Sequence, residues 1–285
     1  MKIKIDRPLL KSLLVMATVI EARDPFTGGH VWRTSRYAQL LAEAIGLTRG
    51  DVFLCQLGGL VHDLGKIAIP DAILRKDGRP TDSERAIIQT HPVIGGDLVA
   101  NHPLGVLVRG PVAEHHLRMD GRGYPEAWCD REPSLITRVV TIADAFDAMT
   151  SRRPYRTEQA VDRALDELQA GRNRQFDARL ADRFCEIVRE GRAEHVIGHC
   201  AADRLMLACH ECGPIITLPA EAEDGDAVEC PACTNEFRLH FDRDAFELEW
   251  LQTRSELHTV HPDYEAANEM VDQAPPSVEI DLETS

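Results

Sequence analysis

The nine residues His62-Asp63-Leu64-Gly65-Lys66-Ile67-Ala68-Ile69-Pro70 directly follow an apolar segment whose hydrophobic residues recur at helical spacing. An imidazole and a carboxylate at the end of such a helix are costly to bury unless they pair or bind a metal ion. His62 can supply one nitrogen, and the two oxygens of Asp63 can bridge two ions. Lys66 lies on the same helical face and could hold a phosphate. For an isolated pair, a simple His–Asp hydrogen bond would be the better interpretation.

Other residues of metal-binding type accompany this pair, in segments that are otherwise apolar or helical. They are His30, His91, His115, His116 and Asp144. Asp144 follows a run that is apolar enough to bury it, and His115 and His116 are adjacent in a helical pattern. Together the five histidines and two aspartates form a set of nitrogen and oxygen ligands that suits two first-row metal ions. The sequence therefore predicts one metal centre rather than separate structural histidines.

Helical spacing of hydrophobic residues continues over most of the first 190 positions, without a convincing run of alternating strand residues. Aromatic residues make up only 5% of the chain, which suits an Ala/Leu-rich helical protein better than a β-sandwich. We predict an all-α fold for residues 1–195. Its helices include segments at 104–116, 135–149, 158–170 and 178–188.

The pairs Cys209-x2-Cys212 and Cys230-x2-Cys233 are separated by seventeen residues. Four thiolates at this spacing are typical of a tetrahedral structural zinc site, and the flanking segments favour strands. We predict a small β-rich, zinc-ribbon-like domain over residues 205–245 that binds one zinc ion. A redox-active dithiol pair is the alternative interpretation, and binding of a protein partner is the hypothesis for its role.

The net charge of −15 is concentrated in residues 242–285, which carry twelve acidic and two basic side chains. Such a balance argues against broad nucleic-acid binding, which needs Lys and Arg facing phosphates. We predict that residues 254–285 are an acidic tail that is disordered, or marginally helical near Tyr264 to Val271, and that it could contact a protein partner. The apolar stretch from Leu9 to Ile20 is too short to span a bilayer and has no signal-peptide pattern. We therefore expect a cytoplasmic protein without membrane association; the oligomeric state is not predicted.

An ordered set of motifs over about residues 9–190 resembles the HD-GYP domains, a branch of the HD metal-dependent phosphohydrolases. Besides residues 62–70, it comprises Glu21 to His30, His91-Pro92, His115-His116, Asp120-Gly121-Arg122-Gly123-Tyr124-Pro125, Ala143 to Met149 and Arg152 to Arg156. The resemblance implies an HD-type helical bundle with a metal centre, usually of iron or manganese. It also implies hydrolysis of cyclic di-GMP to the linear dinucleotide pGpG or to GMP, by water that the metal ions activate.

The same resemblance assigns roles to individual residues. The implied ligands of a binuclear site are His62, Asp63, His91, His115, His116 and Asp144, with Asp63 bridging. His30 matches a ligand of a third metal in some members, but Phe26 occupies the position of the acid expected four residues earlier, so two metals are favoured. Lys66 would assist at the phosphate, and Tyr124, Arg153 and Arg156 would contact the dinucleotide. The simpler alternatives are that Tyr124 anchors a tight loop and that the two arginines form a solvated cluster.

Leu117 departs from the family pattern, which usually has Glu at this position. If that Glu orients a ligand, the metal centre loses part of its support. A non-catalytic cyclic di-GMP sensor or scaffold therefore stays open as an alternative. An HD hydrolase of another nucleotide is a second alternative, against which the GYP loop and the Arg153/Arg156 pair argue. Since all six ligands of the binuclear site are present, the sequence favours the active phosphodiesterase.

Overall fold

The computed structural model of the chain describes residues 1–23, 29–76, 78–151, 161–201, 204–209, 211, 213–218, 222–230, 233–242, 245–253 and 264–280. The α-helices in these ranges are α1 (Arg7–Arg23), α2 (His30–Ala44), α3 (Arg49–Val61), α4 (Asp71–Leu74), α5 (Asp82–Ile88), α6 (His91–Ala100), α7 (Arg109–Glu114), α8 (Leu135–Thr150), α9 (Val161–Ala170), α10 (Ala178–Arg189) and α11 (Glu265–Gln273). Short 3-10 helices span Leu64–Ala68, Gly105–Leu107 and Glu126–Trp128.

The strands in the described ranges are short and pair in antiparallel fashion. They are β1 (Lys2–Lys4), β2 (His199–Ala201), β3 (Arg204–Cys209), β4 (Gly213–Thr217), β5 (Ala227–Glu229), β6 (Asn235–Asp242), β7 (Ala245–Thr253) and β8 (Ser277–Glu279). They form three sheets, with the orders β1-β8, β2-β3-β4 and β5-β6-β7. The fold class is therefore confirmed: a mainly helical chain with a small β-rich region toward its C-terminal end.

Local sequence sets the starts of several helices. The side chains of Thr48, Thr81, Ser134 and Asp177 accept hydrogen bonds from backbone N–H groups in the first turns of α3, α5, α8 and α10. The single helix predicted over residues 104–116 is wrong, because the chain there forms a 3-10 helix, a turn at Val108, and then the short α7. Pro111 explains the break: it has no N–H to donate and fits only the first turn of a helix.

Two buried clusters form the core of the helical part. One is centred on Tyr37, Phe146 and Phe184, whose rings meet edge to face with centroid separations of 5.0–5.9 Å. The other joins α1 to the middle of α3 through Leu10, Leu57 and their neighbours. Since α3 packs on both α2 and α8, the C-terminal end of α3 comes to lie beside these two helices.

The 3-10 helix that follows Asp63 packs directly against α6, because Gly65 has no side chain. A Cβ atom at Gly65 would lie 1.8 Å from the carbonyl oxygen of His91 and 2.6 Å from the backbone nitrogen of Gly95. No larger residue fits this contact without a backbone shift. The approach brings His91, at the start of α6, beside the His62-Asp63 pair.

Residues 264–280 form a helix and a strand. The helix predicted as the alternative near Tyr264 to Val271 is therefore present, over Glu265–Gln273, whereas disorder does not hold for these residues. Helix α11 packs on α1 and buries Ala267, Met270 and Ala274. Strand β8 pairs with β1, and Val278 lies opposite Ile3. The segment is acidic overall, but its apolar residues recur at helical spacing and form one face of α11. This face can be buried only when α1 is folded and provides the surface on which it packs. The three-residue strand β1, inside a region predicted to be purely helical, was missed because it is too short to show alternation.

In the sequence, strands β2 to β7 lie between α10 and α11, and they have a small hydrophobic core of their own. Cys209, Ile216, Cys230 and Phe237 are each no more than 1% exposed. We call residues 199–253 the Cys module. As to membranes, no helix within the described residues combines the length and the apolar character that a bilayer crossing requires.

Candidate metal centre

All seven residues predicted as metal ligands lie together where the ends of several helices meet. His30 begins α2, His91 begins α6, and Asp144 lies within α8. Three sets of donor atoms each fit within 4.8 Å: His91/His115/His116, His30/His62/Asp144 and His62/Asp63/His115. Most of these side chains are buried, so the site is a dense cluster of donors largely removed from water.

Asp63 occupies the middle of the cluster, and its two oxygens face different histidines. Oδ1 lies 3.3 Å from Nε2 of His91, and Oδ2 lies 3.4 Å from Nε2 of His62. Oδ2 is also 2.6 Å from Nζ of Lys66, three residues later. Burial alone would raise the pKa of Asp63, but Lys66 and the two imidazoles hold it well below its usual value. The carboxylate is therefore ionised and can serve two ions.

Three histidines direct their Nε2 atoms into the site because Nδ1 is held by a backbone carbonyl. For His62, His91 and His115, the acceptors are the carbonyl oxygens of Gly59, Ile88 and Pro111, at 2.9, 2.8 and 2.7 Å. With the proton on Nδ1, a neutral ring presents a lone pair at Nε2. Burial lowers the pKa of both His91 and His115, which keeps these rings neutral.

The Nε2 atoms of His91 and His115 are 3.2 Å apart. Two lone pairs at this distance repel each other unless a cation lies between or beside them. In the described part of the chain, the buried Nε2 atoms of His30 and His62 also make no hydrogen bond. A metal ion would satisfy all four nitrogens, so the donor set fits the metal centre that the sequence predicts.

His30 is oriented by Asp147, a positioning residue that the sequence analysis did not identify. Nδ1 of His30 lies 2.8 Å from Oδ2 of Asp147, which also binds Nε of Arg33 through Oδ1 at 2.6 Å. Burial lowers the pKa of His30, but the contacts with Asp144 and Asp147 outweigh it and raise the pKa to about 9. A metal ion at Nε2 would therefore displace a proton from this ring. The signal available in the sequence was the i, i+3 spacing of Asp144 and Asp147, which puts both carboxylates on one face of α8.

We expect Asp147→Asn to destabilise the protein by about 3–5 kcal/mol, because it leaves the buried Arg33 guanidinium without its carboxylate. Urea unfolding followed by circular dichroism measures this loss. The change also loosens His30, so manganese affinity should fall about 10-fold. Asp162→Asn is the control: this aspartate is exposed on α9 and should shift the stability by less than about 0.5 kcal/mol. A loss below about 1 kcal/mol for Asp147→Asn would contradict the importance of the buried pair.

A cavity of about 760 Å³ opens beside His115, His116 and Asp144, within the size range of small-molecule sites. Tyr124, from the predicted GYP loop, lines this cavity. Lys66 lines a separate, smaller pocket with His30 and Asp63, and its ammonium group lies 2.6 Å from Asp63. The structure thus brings Tyr124 to the cavity and Lys66 to Asp63.

The GYP loop is folded tightly against His116. A Cβ atom at Gly123, where φ is +101°, would lie 2.2 Å from the His116 carbonyl oxygen, so only glycine fits here. The Tyr124 ring stacks on the His116 ring with centroids 4.3 Å apart. Leu117 is 2% exposed and its backbone bridges Gly123. Tyr124 therefore anchors the loop and faces the cavity at the same time, which fits both interpretations of this residue.

The cysteines form a separate cluster in the Cys module. The sulfur atoms of Cys209, Cys230 and Cys233 lie within 4.8 Å of one another, with Cys209 and Cys233 3.5 Å apart. A tetrahedral zinc site with Zn–S bonds of about 2.3 Å places its sulfurs at similar separations. The fourth cysteine, Cys212, lies outside the described residues, so its role stays a prediction. The same holds for three residues of the family motifs: Phe26, Arg153 and Arg156.

The helical fold and the clustered histidines and aspartates are those of an HD-type domain with a candidate metal site. A family model described as HD domain matches residues 14–180, more than half of the chain, and the protein therefore belongs to the HD domain family.

Curated relatives carry more specific names. The cyclic di-GMP phosphodiesterase response regulator RpfG of Xanthomonas campestris is 38% identical over 60% of this chain and 46% of its own length. A cyclic di-GMP phosphodiesterase of Thermotoga maritima is 33% identical over 64% of this chain and 50% of its own. The 3'3'-cGAMP-specific phosphodiesterase 3 of Vibrio cholerae is 35% identical over 52% of this chain and 32% of its own. The chain thus spans half or less of the length of these relatives.

Proposed function

We propose that this protein is a metal-dependent phosphodiesterase that hydrolyses cyclic di-GMP to pGpG, GMP or both. The observation that carries the proposal is the pair of facing Nε2 atoms of His91 and His115, 3.2 Å apart, beside a cavity of about 760 Å³. Metal-assisted hydrolysis requires donor atoms that bind a cation and, beside them, a cavity large enough for the substrate. Both are present here.

The proposed centre holds two iron or manganese ions, which suit nitrogen and oxygen donors. Its ligands are His62, Asp63, His91, His115, His116 and Asp144, and His30 adds a seventh donor. Asp63 is the proposed bridging ligand, since its two oxygens face different histidines. Ions of this kind lower the pKa of bound water and stabilise negative charge on a phosphate.

The remaining predicted residues would act on the substrate and on the charge of the site. Lys66 would be an electrostatic group: at 2.6 Å from Asp63 it offsets negative charge beside the reacting phosphate. Tyr124 would stack on or hydrogen-bond the dinucleotide from its place against His116. Arg153 and Arg156 are proposed to contact the dinucleotide on the strength of the motif alone.

A second candidate substrate is 3'3'-cGAMP, because a relative at 35% identity is named for that activity. The sensor alternative rests on Leu117. Its side chain is buried and apolar, and the six proposed ligands gather without a carboxylate at this position. We therefore favour turnover over binding alone.

The Cys module is proposed to hold one structural zinc ion through Cys209, Cys212, Cys230 and Cys233. Four thiolates leave no open coordination position, so the zinc would stabilise the fold rather than catalyse. The module or the acidic tail is the proposed contact for a protein partner. The cytoplasmic location stays a prediction of the sequence.

Anaerobically purified protein, loaded with manganese or iron, provides the test. We expect about two of these ions and one zinc per chain by elemental analysis, and conversion of cyclic di-GMP to pGpG or GMP by chromatography. Parallel assays with 3'3'-cGAMP decide between the two substrates by their kcat/KM values. Tight binding of cyclic di-GMP without any product would instead establish the sensor.

A further inference from the structure

Three arginines of the described ranges line the cavity beside the proposed metal centre, although the chain as a whole carries a net charge of −15. Arg118 is neutralised by Asp120, whose two oxygens accept hydrogen bonds of 3.0 and 2.9 Å from its guanidinium group. Among the described residues, the guanidinium groups of Arg122 and Arg174 form no ion pair within 4 Å. These two cations therefore have their charge available to a ligand in the cavity.

The two arginines come from loops that are tied to each other. Arg122 belongs to the GYP loop, and Arg174 belongs to the turn between α9 and α10. The backbone nitrogen of Asp120 donates to the carbonyl oxygen of Arg174 at 2.8 Å. Within the turn, the carbonyl oxygen of Gly171 accepts hydrogen bonds of 2.8–3.1 Å from the backbone nitrogens of residues 174, 175 and 176. Backbone hydrogen bonds thus hold the two loops that carry these arginines against each other before any ligand binds.

The charges around the cavity favour an anion. In the part of the chain that the structure describes, its lining carboxylates are Glu167 and Asp144, and Asp144 belongs to the proposed metal ligands. Guanidinium groups bind phosphate oxygens through paired N–H donors, and they do so better than an ammonium group does. A cyclic dinucleotide contains two phosphodiesters, and only one of them can occupy the metal centre during hydrolysis. The other phosphate needs a second site within the same cavity.

Resting on the proposed function, we propose that Arg122 and Arg174 form a subsite for the phosphate that is not cleaved. The pair holds the dinucleotide at its second phosphodiester while the first lies against the metal ligands. Because the contact involves a phosphate that does not react, it contributes equally to the bound substrate and to the transition state. Its loss should therefore raise KM and leave kcat nearly unchanged.

Steady-state kinetics with two substrates test this subsite. Cyclic di-GMP has a second phosphate, whereas bis(p-nitrophenyl) phosphate is a diester with one phosphate and reports on the metal centre alone. Arg122→Gln and Arg174→Gln should each raise KM for cyclic di-GMP about 10-fold, with kcat within about 2-fold. Hydrolysis of bis(p-nitrophenyl) phosphate should change by less than about 2-fold.

Arg172→Gln is the matched control, because Arg172 lies in the same turn but pairs with Asp182 at 2.8 Å. It removes one positive charge and should leave both substrates unaffected. An unchanged KM in the double variant Arg122→Gln/Arg174→Gln would overturn the subsite. Equal losses on both substrates would overturn it too, since the arginines would then act on the metal centre.

The two proposals fail in different ways. If the wild-type protein cleaves bis(p-nitrophenyl) phosphate but not cyclic di-GMP, the proposed hydrolysis of cyclic di-GMP is rejected. Calorimetric titration with cyclic di-GMP then decides on the subsite. Affinity that falls at least about 10-fold in the double variant supports it. Affinity that does not change, or no binding by the wild type, overturns it.

Discussion

Replacing Asp63 with asparagine is expected to reduce the hydrolysis of cyclic di-GMP by on the order of 1,000-fold or more. Asparagine keeps the size of the side chain but removes the negative charge that faces His62 and His91 at 3.4 and 3.3 Å. Loss of a metal-activated nucleophile costs several kcal/mol of transition-state stabilisation, and about 4 kcal/mol corresponds to this factor. Initial rates at saturating substrate, together with metal content, measure the effect.

Asp71→Asn is the matched control for this experiment. Asp71 lies eight residues further along the chain and is 62% exposed in its ion pair with Arg23, so its replacement should leave the rate within about 2-fold. The proposed role of Asp63 is wrong if Asp63→Asn retains more than about one tenth of the wild-type rate. Circular dichroism of the variant separates a lost site from a lost fold.

Removing residues 264–285 is expected to destabilise the helical domain by about 5 kcal/mol or more, an amount comparable to the whole stability of many domains. The deletion uncovers the surface of α1 that α11 occupies, and it leaves β1 without its partner strand. Met270 and Val278 are 4% and 2% exposed, so most of their apolar surface is buried in this contact. The free energy of urea unfolding measures the change.

A point variant tests the same contact if the truncated protein fails to fold. Met270→Ala should cost about 2–5 kcal/mol, the usual range for a buried methionine. Tyr264→Ala is the control: this residue precedes α11 and is 41% exposed, so the change should be below about 0.5 kcal/mol. A wild-type stability in the truncated protein would show that the segment only rests on the surface.

The sequence was sufficient for most helices of the first 190 residues, although not for the break near Val108, and for the histidines and aspartates that cluster. His30, His62, His91 and His115 are far apart in the chain, yet each could be recognised because helix ends with buried polar groups need a partner. The family motifs then supplied their joint arrangement. Gly65 was also visible in the sequence, but its contribution, the close approach to His91, depends on a tertiary contact that no local pattern encodes.

The parts that could not be predicted depend on long-range contacts. Asp147 contacts His30 directly and pairs with Arg33, which is 114 positions away, and neither residue signals that pairing in the sequence. The order of α11 follows from the surface of α1, whereas its own composition favours disorder. Arg174 has the same character, since the turn after α9 is connected to the GYP loop by long-range hydrogen bonds, from Asp120 to the Arg174 carbonyl oxygen and from Arg118 to Gln175.

The placement of the Cys module between α10 and α11 links its folding to the stability of the helical domain. Residues 190–264 connect these two helices, and closing a loop costs entropy that grows with its flexible length, by about 0.6 kcal/mol per doubling. When strands β2 to β7 are formed, their residues no longer add to the entropy of loop closure, so the loop is effectively shorter. A shorter loop raises the effective concentration of α11 at the surface of α1. Folding of the Cys module and docking of α11 are thus coupled through chain entropy, without any direct contact between them being required.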